Sequence, residues 1–107
     1  MLPKKNRADK KAVEKIFKTG RILSSLNLTF RFINTNSKEI RISFIAPKSI
    51  ARLAVKRNLL RRRGYSILNK HINKFPVGLL GVFVFRKYQD DILIIENEIK
   101  NILNKIN

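Results

Sequence analysis

Apolar residues recur along the chain with two different periods. Val13, Ile16 and Phe17 lie at helical spacing and Gly20 follows as a stop, which predicts a short helix over residues 9–19. Leu28, Phe30 and Phe32 alternate with Thr29 and Arg31, the signature of a half-buried strand. Residues 34–37 (NTNS) read as a turn. Beyond them Ile40, Ile42 and Phe44 alternate with Arg41 and Ser43, which predicts an antiparallel partner for the first strand. A further short strand fits residues 21–23. Pro47 closes the second alternating run, and a long helix is expected from Ile50 or Ala51 to about Lys70. Phe75-Pro76 marks a turn. Residues 80–86 are nearly continuously apolar, as a central strand buried on both faces would be. Asp90 or Asp91 can cap a last helix whose Ile92, Ile95, Ile99, Ile102 and Ile106 form one stripe. With no repeat, linker or low-complexity tract, the expected architecture is one α+β domain over residues 1–107. Its order is α-β-β-β-α-β-α, a sandwich of sheet and helices.

The long helix carries the charge. At about 100° per residue, Leu53, Leu60, Gly64 and Ile67 share one narrow stripe with Leu68 beside it, and this is the predicted core face. Gly64 on that stripe suits a close approach to the sheet. Arg57 and Arg61 lie on one flank, Asn58 and Arg62 face outward, and Arg52, Lys56, Arg63 and Lys70 take the other flank. An ordinary solvated helix face mixes signs, with Glu four residues from Lys. This one has no acid, and like charges one turn apart destabilise an isolated helix. A partner lined with phosphates would remove that cost. Arginine outnumbers lysine here, and its planar fork can grip a phosphate through two hydrogen bonds. Asn58 adds donors and an acceptor suited to a base edge or a ribose hydroxyl.

Composition sharpens this picture. The net charge is +17, from 24 Lys and Arg against seven acids in 107 residues. No acid falls in the fifty residues 40–89, where twelve of the cations lie. Such asymmetry points to a dedicated polyanion-binding face. Nucleic acid is the first candidate and an anionic membrane surface the second. A membrane-surface helix would need bulky apolar residues exposed beside its charges, whereas the apolar stripe here is narrow and sized for a core. There is no cysteine, the N-terminus has no signal-peptide character, and no apolar run approaches a membrane span. The chain is therefore expected to be soluble and cytoplasmic.

Catalytic groups are scarce. The single histidine, His71, lies near the end of the basic helix on its core side, where packing is the simpler role. Asp90 and Asp91 are adjacent and suit a helix cap, and Glu96 and Glu98 lie on the last helix. No acid–base pair and no convergent carboxylates emerge, so neither a catalytic nor a metal-ligating set is assigned. No zinc-finger pattern, helix-turn-helix pair or sheet-face aromatic platform is visible either.

The string Ala54-Val55-Lys56-Arg57-Asn58-Leu59-Leu60-Arg61-Arg62 resembles the Arg-Asn-Arg helix motif of the bacterial ribonuclease P protein family. Leu2-Pro3-Lys4-Lys5-Asn6-Arg7, Ile16-Phe17-Lys18-Thr19-Gly20-Arg21, Ala46-Pro47-Lys48 and Val84-Phe85-Arg86-Lys87 are similar to the family in order and spacing. The resemblance thus spans almost the whole chain. It departs in three places. Leu59 stands where the motif has its second arginine, so that contact is lost or supplied by Arg63 or Lys56. Ala51-Arg52-Leu53 replaces the usual Gly-Asn before Ala-Val, and Arg31 stands where an aromatic is common. The resemblance implies a fold like the second domain of a small-subunit ribosomal protein, with a left-handed β-α-β crossover. It implies partnership with a large catalytic RNA and with precursor transfer RNA, whose 5′ leader is removed, and with no obligate protein partner. Magnesium and the chemistry would belong chiefly to the RNA. Candidate RNA-binding residues are Lys48, Arg52, Lys56, Arg57, Asn58, Arg61, Arg62 and Arg63. Candidates for a leader cleft between the first helix and the sheet are Phe17, Arg31 and Arg86, with Phe17 open to either a core or a cleft role. A ribosomal or ribosome-assembly protein of similar fold is the alternative.

Overall fold

The computed structural model describes residues 10–106. Its elements are α1 (Lys10–Thr19), β1 (Arg21–Ser24), β2 (Leu28–Asn34), β3 (Arg41–Ile45), α2 (Ala54–His71), β4 (Leu79–Phe85) and α3 (Ile92–Ile106). A 3-10 turn, Ile72–Lys74, follows α2. The order is the α-β-β-β-α-β-α expected from sequence. The N-terminal Leu-Pro-Lys-Lys-Asn-Arg string and Asp9, the first residue of the predicted helix, lie outside the described residues.

The four strands form one sheet in the order β1-β2-β4-β3. β4 sits between β2 and β3, antiparallel to β2 (Phe30 opposite Phe83) and parallel to β3 (Phe44 opposite Phe83). Its central place is what a continuous apolar run predicts. The expected antiparallel pairing of β3 with β2 is therefore wrong. The reason lies just after β2, where the chain bonds across to the start of β4 instead of folding back. Thr35 donates both its backbone N–H (2.9 Å) and its hydroxyl (2.8 Å) to the Gly78 carbonyl. Gly78 has φ 85°, a left-handed conformation that suits glycine. The parallel β3 and β4 are joined by the crossover through α2.

Alternation on the strands separates two layers. Leu28, Phe30 and Phe32 of β2, Ile42 and Phe44 of β3, and Leu79, Phe83 and Phe85 of β4 form a core with α2 and α3. Stacked rings tie the strands together within it: the Phe30 and Phe83 centroids are 4.2 Å apart, and those of Phe44 and Phe83 5.0 Å. From α2 come Leu60, Tyr65, Ile67 and Leu68, and from α3 Ile95, Ile99, Ile102 and Leu103. Gly64 lies against the Phe44 ring, so an added Cβ would fall 2.7 Å from it. The Tyr65 hydroxyl accepts the backbone N–H of Phe44 at 3.1 Å, closing an amide on the edge strand β3. Helix α1 covers part of the opposite sheet face, touching β2 and β4 and burying Ile16 completely.

Two further corrections concern α2. It begins at Ala54, not at Ile50 or Ala51. Residues 47–51 instead form a turn in which Ile50 and Ala51 donate their N–H groups to the Pro47 carbonyl, at 3.0 and 3.2 Å. Leu53, expected on the core stripe, precedes the first helical residue and is 64% exposed. The α3 cap is Asp91, whose Oδ1 accepts the N–H groups of Leu93 (2.9 Å) and Ile94 (3.3 Å).

Polar contacts bind α3 to its neighbours. The Glu98 carboxylate, buried on the apolar stripe, accepts the backbone N–H (2.7 Å) and side-chain amide (2.6 Å) of Asn27 and the hydroxyl of Ser25, clamping the β1–β2 turn. His71 Nε2 lies 3.0 Å from Glu96 Oε2, joining α2 to α3. This hydrogen bond holds the Glu96 carboxyl below its ordinary range, aided by the positive charges of Lys100 and Lys70.

The packing at Gly64 makes a stability prediction. Alanine there gains about 1 kcal/mol of helix propensity but overpacks the Phe44 contact at a cost of about 1–3 kcal/mol. Gly64→Ala is expected to lower the urea midpoint of unfolding, and a raised midpoint would show that α2 does not press on β3.

Candidate nucleic-acid interface

The segment 46–63 builds the basic surface. Lys48, Arg52, Lys56, Asn58, Arg61 and Arg62 are exposed, while Arg57 and Arg63 are half-buried. The core side chains of α2 anchor the helix by its other face, so these groups are displayed without being drawn into the protein. Neither of the two ion pairs among the described residues, Arg41–Glu39 and His71–Glu96, involves an α2 arginine. A depression of about 390 Å³ along α2 is lined by Val55, Asn58, Arg61, Arg62 and the core residue Tyr65. It brings a cationic fork, an amide and an apolar wall together, the mixture that a sugar-phosphate chain with its bases would meet.

Two of the predicted contacts have structural work as well. Arg57 Nη1 donates to the carbonyls of Ala51 (3.0 Å) and Arg52 (2.7 Å). It thereby fixes the loop that carries Lys48 and Arg52 and sets the point where α2 begins. Arg63 Nη1 donates to the Asp90 carbonyl and ties α2 to the connector leading into α3. A guanidinium has five N–H donors, so both keep others for a ligand.

Phe17 and Arg31 form a second, separate group. Phe17 is 42% exposed, the exception among seven phenylalanines whose other six are buried. It is therefore not a core residue. The Arg31 guanidinium lies over its ring, 4.8 Å from the centroid. Arg31 projects from the sheet face opposite to Phe30 and Phe32, so this pair lies between α1 and the sheet, away from α2. Arg86 joins neither group. It stands at the end of β4, where Nη1 donates to the Ser25 carbonyl at 2.8 Å.

Sequence reasoning missed the second role of Arg57, the buried clamp of Glu98 and the exposed ring of Tyr88. The carbonyl-binding role of Arg57 left no signal, because it depends on where the helix starts. Glu98 was legible as an acid at core spacing among Ile95, Ile99 and Ile102. Tyr88, 40% exposed with Lys56 Nζ 6.0 Å from its ring centroid, belongs to no periodic run. Among the described residues no three His, Cys, Asp or Glu side chains group in a way that could hold a metal ion.

The family model for ribonuclease P matches residues 2–107. The chain belongs to the ribonuclease P protein family. Solved structures agree on the fold. The Thermotoga maritima RNase P protein superposes with a TM-score of 0.84 at 21% identity, covering 94% of this chain and 97% of its own. The Staphylococcus aureus RNase P protein gives 0.82 at 19% identity, with 95% of each chain covered. No curated protein matches. Ribonuclease P is an endoribonuclease holoenzyme of transfer-RNA processing, and family membership implies association of this chain with its RNA.

The bonds from Arg57 predict a local effect. Arg57→Lys keeps the charge but cannot reproduce the guanidinium contact with both carbonyls. Charge-assisted hydrogen bonds contribute about 1.5–3 kcal/mol, so the Ile50 and Ala51 amides are expected to lose about tenfold in hydrogen-exchange protection. Unchanged protection would show that the loop is ordered without Arg57.

Proposed function

We propose that this chain acts as the protein subunit of ribonuclease P, binding the catalytic RNA through α2 and its leading loop and guiding the 5′ leader of precursor transfer RNA. The observation that carries the reading is the display on α2. Lys56, Arg61 and Arg62 are exposed on a helix with no acid, beside Lys48 and Arg52 on the preceding loop. Two RNAs repel each other, and a cationic body between them lowers that repulsion while holding each by its backbone. The pair of Phe17 and Arg31 supplies what a single-stranded leader needs, a ring for a base and a cation for its phosphate. Arg86, exposed at the sheet end and apart from both groups, would be a separate cation available to a passing phosphate.

In this reading bond cleavage belongs to the RNA. The Mg2+ of the holoenzyme would be held chiefly by the RNA, with the protein contributing binding and orientation. The cytoplasm is the compartment that fits such a partnership. No described helix is long and apolar enough to cross a membrane. Leu53 and Val55 are exposed beside the cations of α2, which a membrane-surface helix would require. The face of Val55 continues through Leu59, Arg62, Ser66 and Asn69, however, so its apolar part ends after one turn and is too short to insert.

Reconstitution tests the proposal. Added to a cognate RNase P RNA at low magnesium, the protein is expected to raise leader removal from precursor transfer RNA at least tenfold, whereas the protein alone leaves the precursor intact. No stimulation, or cleavage by the protein alone, would contradict it.

A further inference from the structure

The connector between β4 and α3 places an aromatic ring beside the basic helix and holds it there. Tyr88 is 40% exposed, whereas the other tyrosine, Tyr65, is 3% exposed and packed in the core. An exposed tyrosine alone means little, because large side chains on surfaces are common. This one sits on a connector that is tied down at several points, its own hydroxyl making one of the bonds. Its hydroxyl donates to Asp90 Oδ2 at 3.2 Å. The Asp90 carbonyl accepts from Arg63 Nη1 of α2. Gln89 Oε1 accepts the Asp91 N–H at 2.9 Å, and Asp91 caps α3. The ring is thus set against α2 by bonds that do not bury it, and the Lys56 ammonium stands 6.0 Å from its centroid. Lys87, the neighbouring residue, is exposed as well.

A pre-positioned ring rimmed by cations has a natural ligand in an unpaired nucleobase. The base supplies a flat π-face to stack on the ring, and its phosphates supply charge for Lys56 and Lys87. Little side-chain ordering remains to be done on binding, because Arg63 and Asp90 already hold the connector. A folded RNA that lies along α2 passes this ring and can present an unstacked base to it.

We propose that Tyr88 is a stacking platform for an unpaired base of the RNA that α2 binds, contributing affinity beyond the phosphate contacts. This rests on the reading of α2 as the RNA-binding surface. Stacking on a neutral ring adds binding without releasing counterions. Losing it therefore changes affinity but leaves the salt dependence as it was, unlike the loss of a phosphate-binding arginine.

The test measures binding of wild type, Tyr88→Leu and Tyr88→Phe to RNase P RNA over a range of salt concentrations, and binding of precursor transfer RNA to the reconstituted holoenzymes. Tyr88→Leu is expected to bind about 5- to 100-fold more weakly at every salt concentration, with an unchanged slope, while Tyr88→Phe, which keeps the ring but gives up the bond to Asp90, binds more tightly than Tyr88→Leu. A loss with the RNase P RNA assigns the base to that RNA, and a loss confined to the second arm assigns it to the precursor. Equal affinities for Tyr88→Leu and wild type in both arms would overturn the platform, as would equal losses in both variants, since the ring would then not be what matters. If wild type itself fails to bind RNase P RNA, the reading of α2 falls first and the platform with it.

Discussion

Mutual repulsion among the cations of α2 is the constraint around which this structure is arranged. Lys56, Arg57, Arg61, Arg62 and Arg63 fall within eight residues, and the helix contains no carboxylate to offset them. The helix has no side-chain N-cap, and its first turn has no acid. The positive end of its dipole therefore adds to the charge of Arg52, Lys56 and Arg57. Such a helix would be a poor one in isolation. It is held by tertiary means: Leu60, Gly64, Ile67 and Leu68 against the sheet, and Arg57 and Arg63 spending donors on backbone carbonyls. What remains is a surface that only an anion can relax, and a ribose-phosphate chain supplies anions at regular spacing.

The sheet keeps two kinds of surface apart. α2 and α3 pack on one face, and α1 covers part of the other, where Phe17 and Arg31 meet. With β4 in the middle, the strand that follows α2 runs through the centre of the core and fixes the helix relative to both faces. The stacked rings of Phe30, Phe83 and Phe44 cross three strands at this point. In the proposed reading, this partition would let one small domain meet one RNA on α2 and another at the Phe17–Arg31 pair, on separate faces of the sheet.

The identity and order of the elements were legible in the sequence because periodicity is local. Alternation in β2, the continuous run of β4 and the stripe of α3 each report burial through neighbouring residues. The pairing of β2 with β4 was not legible, because it joins segments far apart in the chain, as in the bond between Thr35 and Gly78, forty-three residues apart. The start of α2 misled for a related reason. Ala51-Arg52-Leu53 runs straight into the helix, yet the Ala51 and Arg52 carbonyls are taken by the Arg57 guanidinium from the following turn. In the candidate interface, charge and motif pointed to the exposed arginines. They could not separate Arg61 and Arg62, which face solvent, from Arg57 and Arg63, which also bind the fold. Phe17 was open between core and cleft in the sequence, and its exposure removes the core role; Tyr88 left no trace because a single aromatic carries no period.

The central claim is that the exposed arginines of α2 meet phosphates. The salt dependence of binding to RNase P RNA, compared between wild type, Arg61→Ala and Arg62→Ala, addresses it most directly. Each substitution is expected to flatten the slope of log affinity against log salt by about 0.7 to 0.9, the value for one lost phosphate contact. Slopes identical to wild type in both variants would mean that these arginines face water in the complex, and that the RNA is held elsewhere.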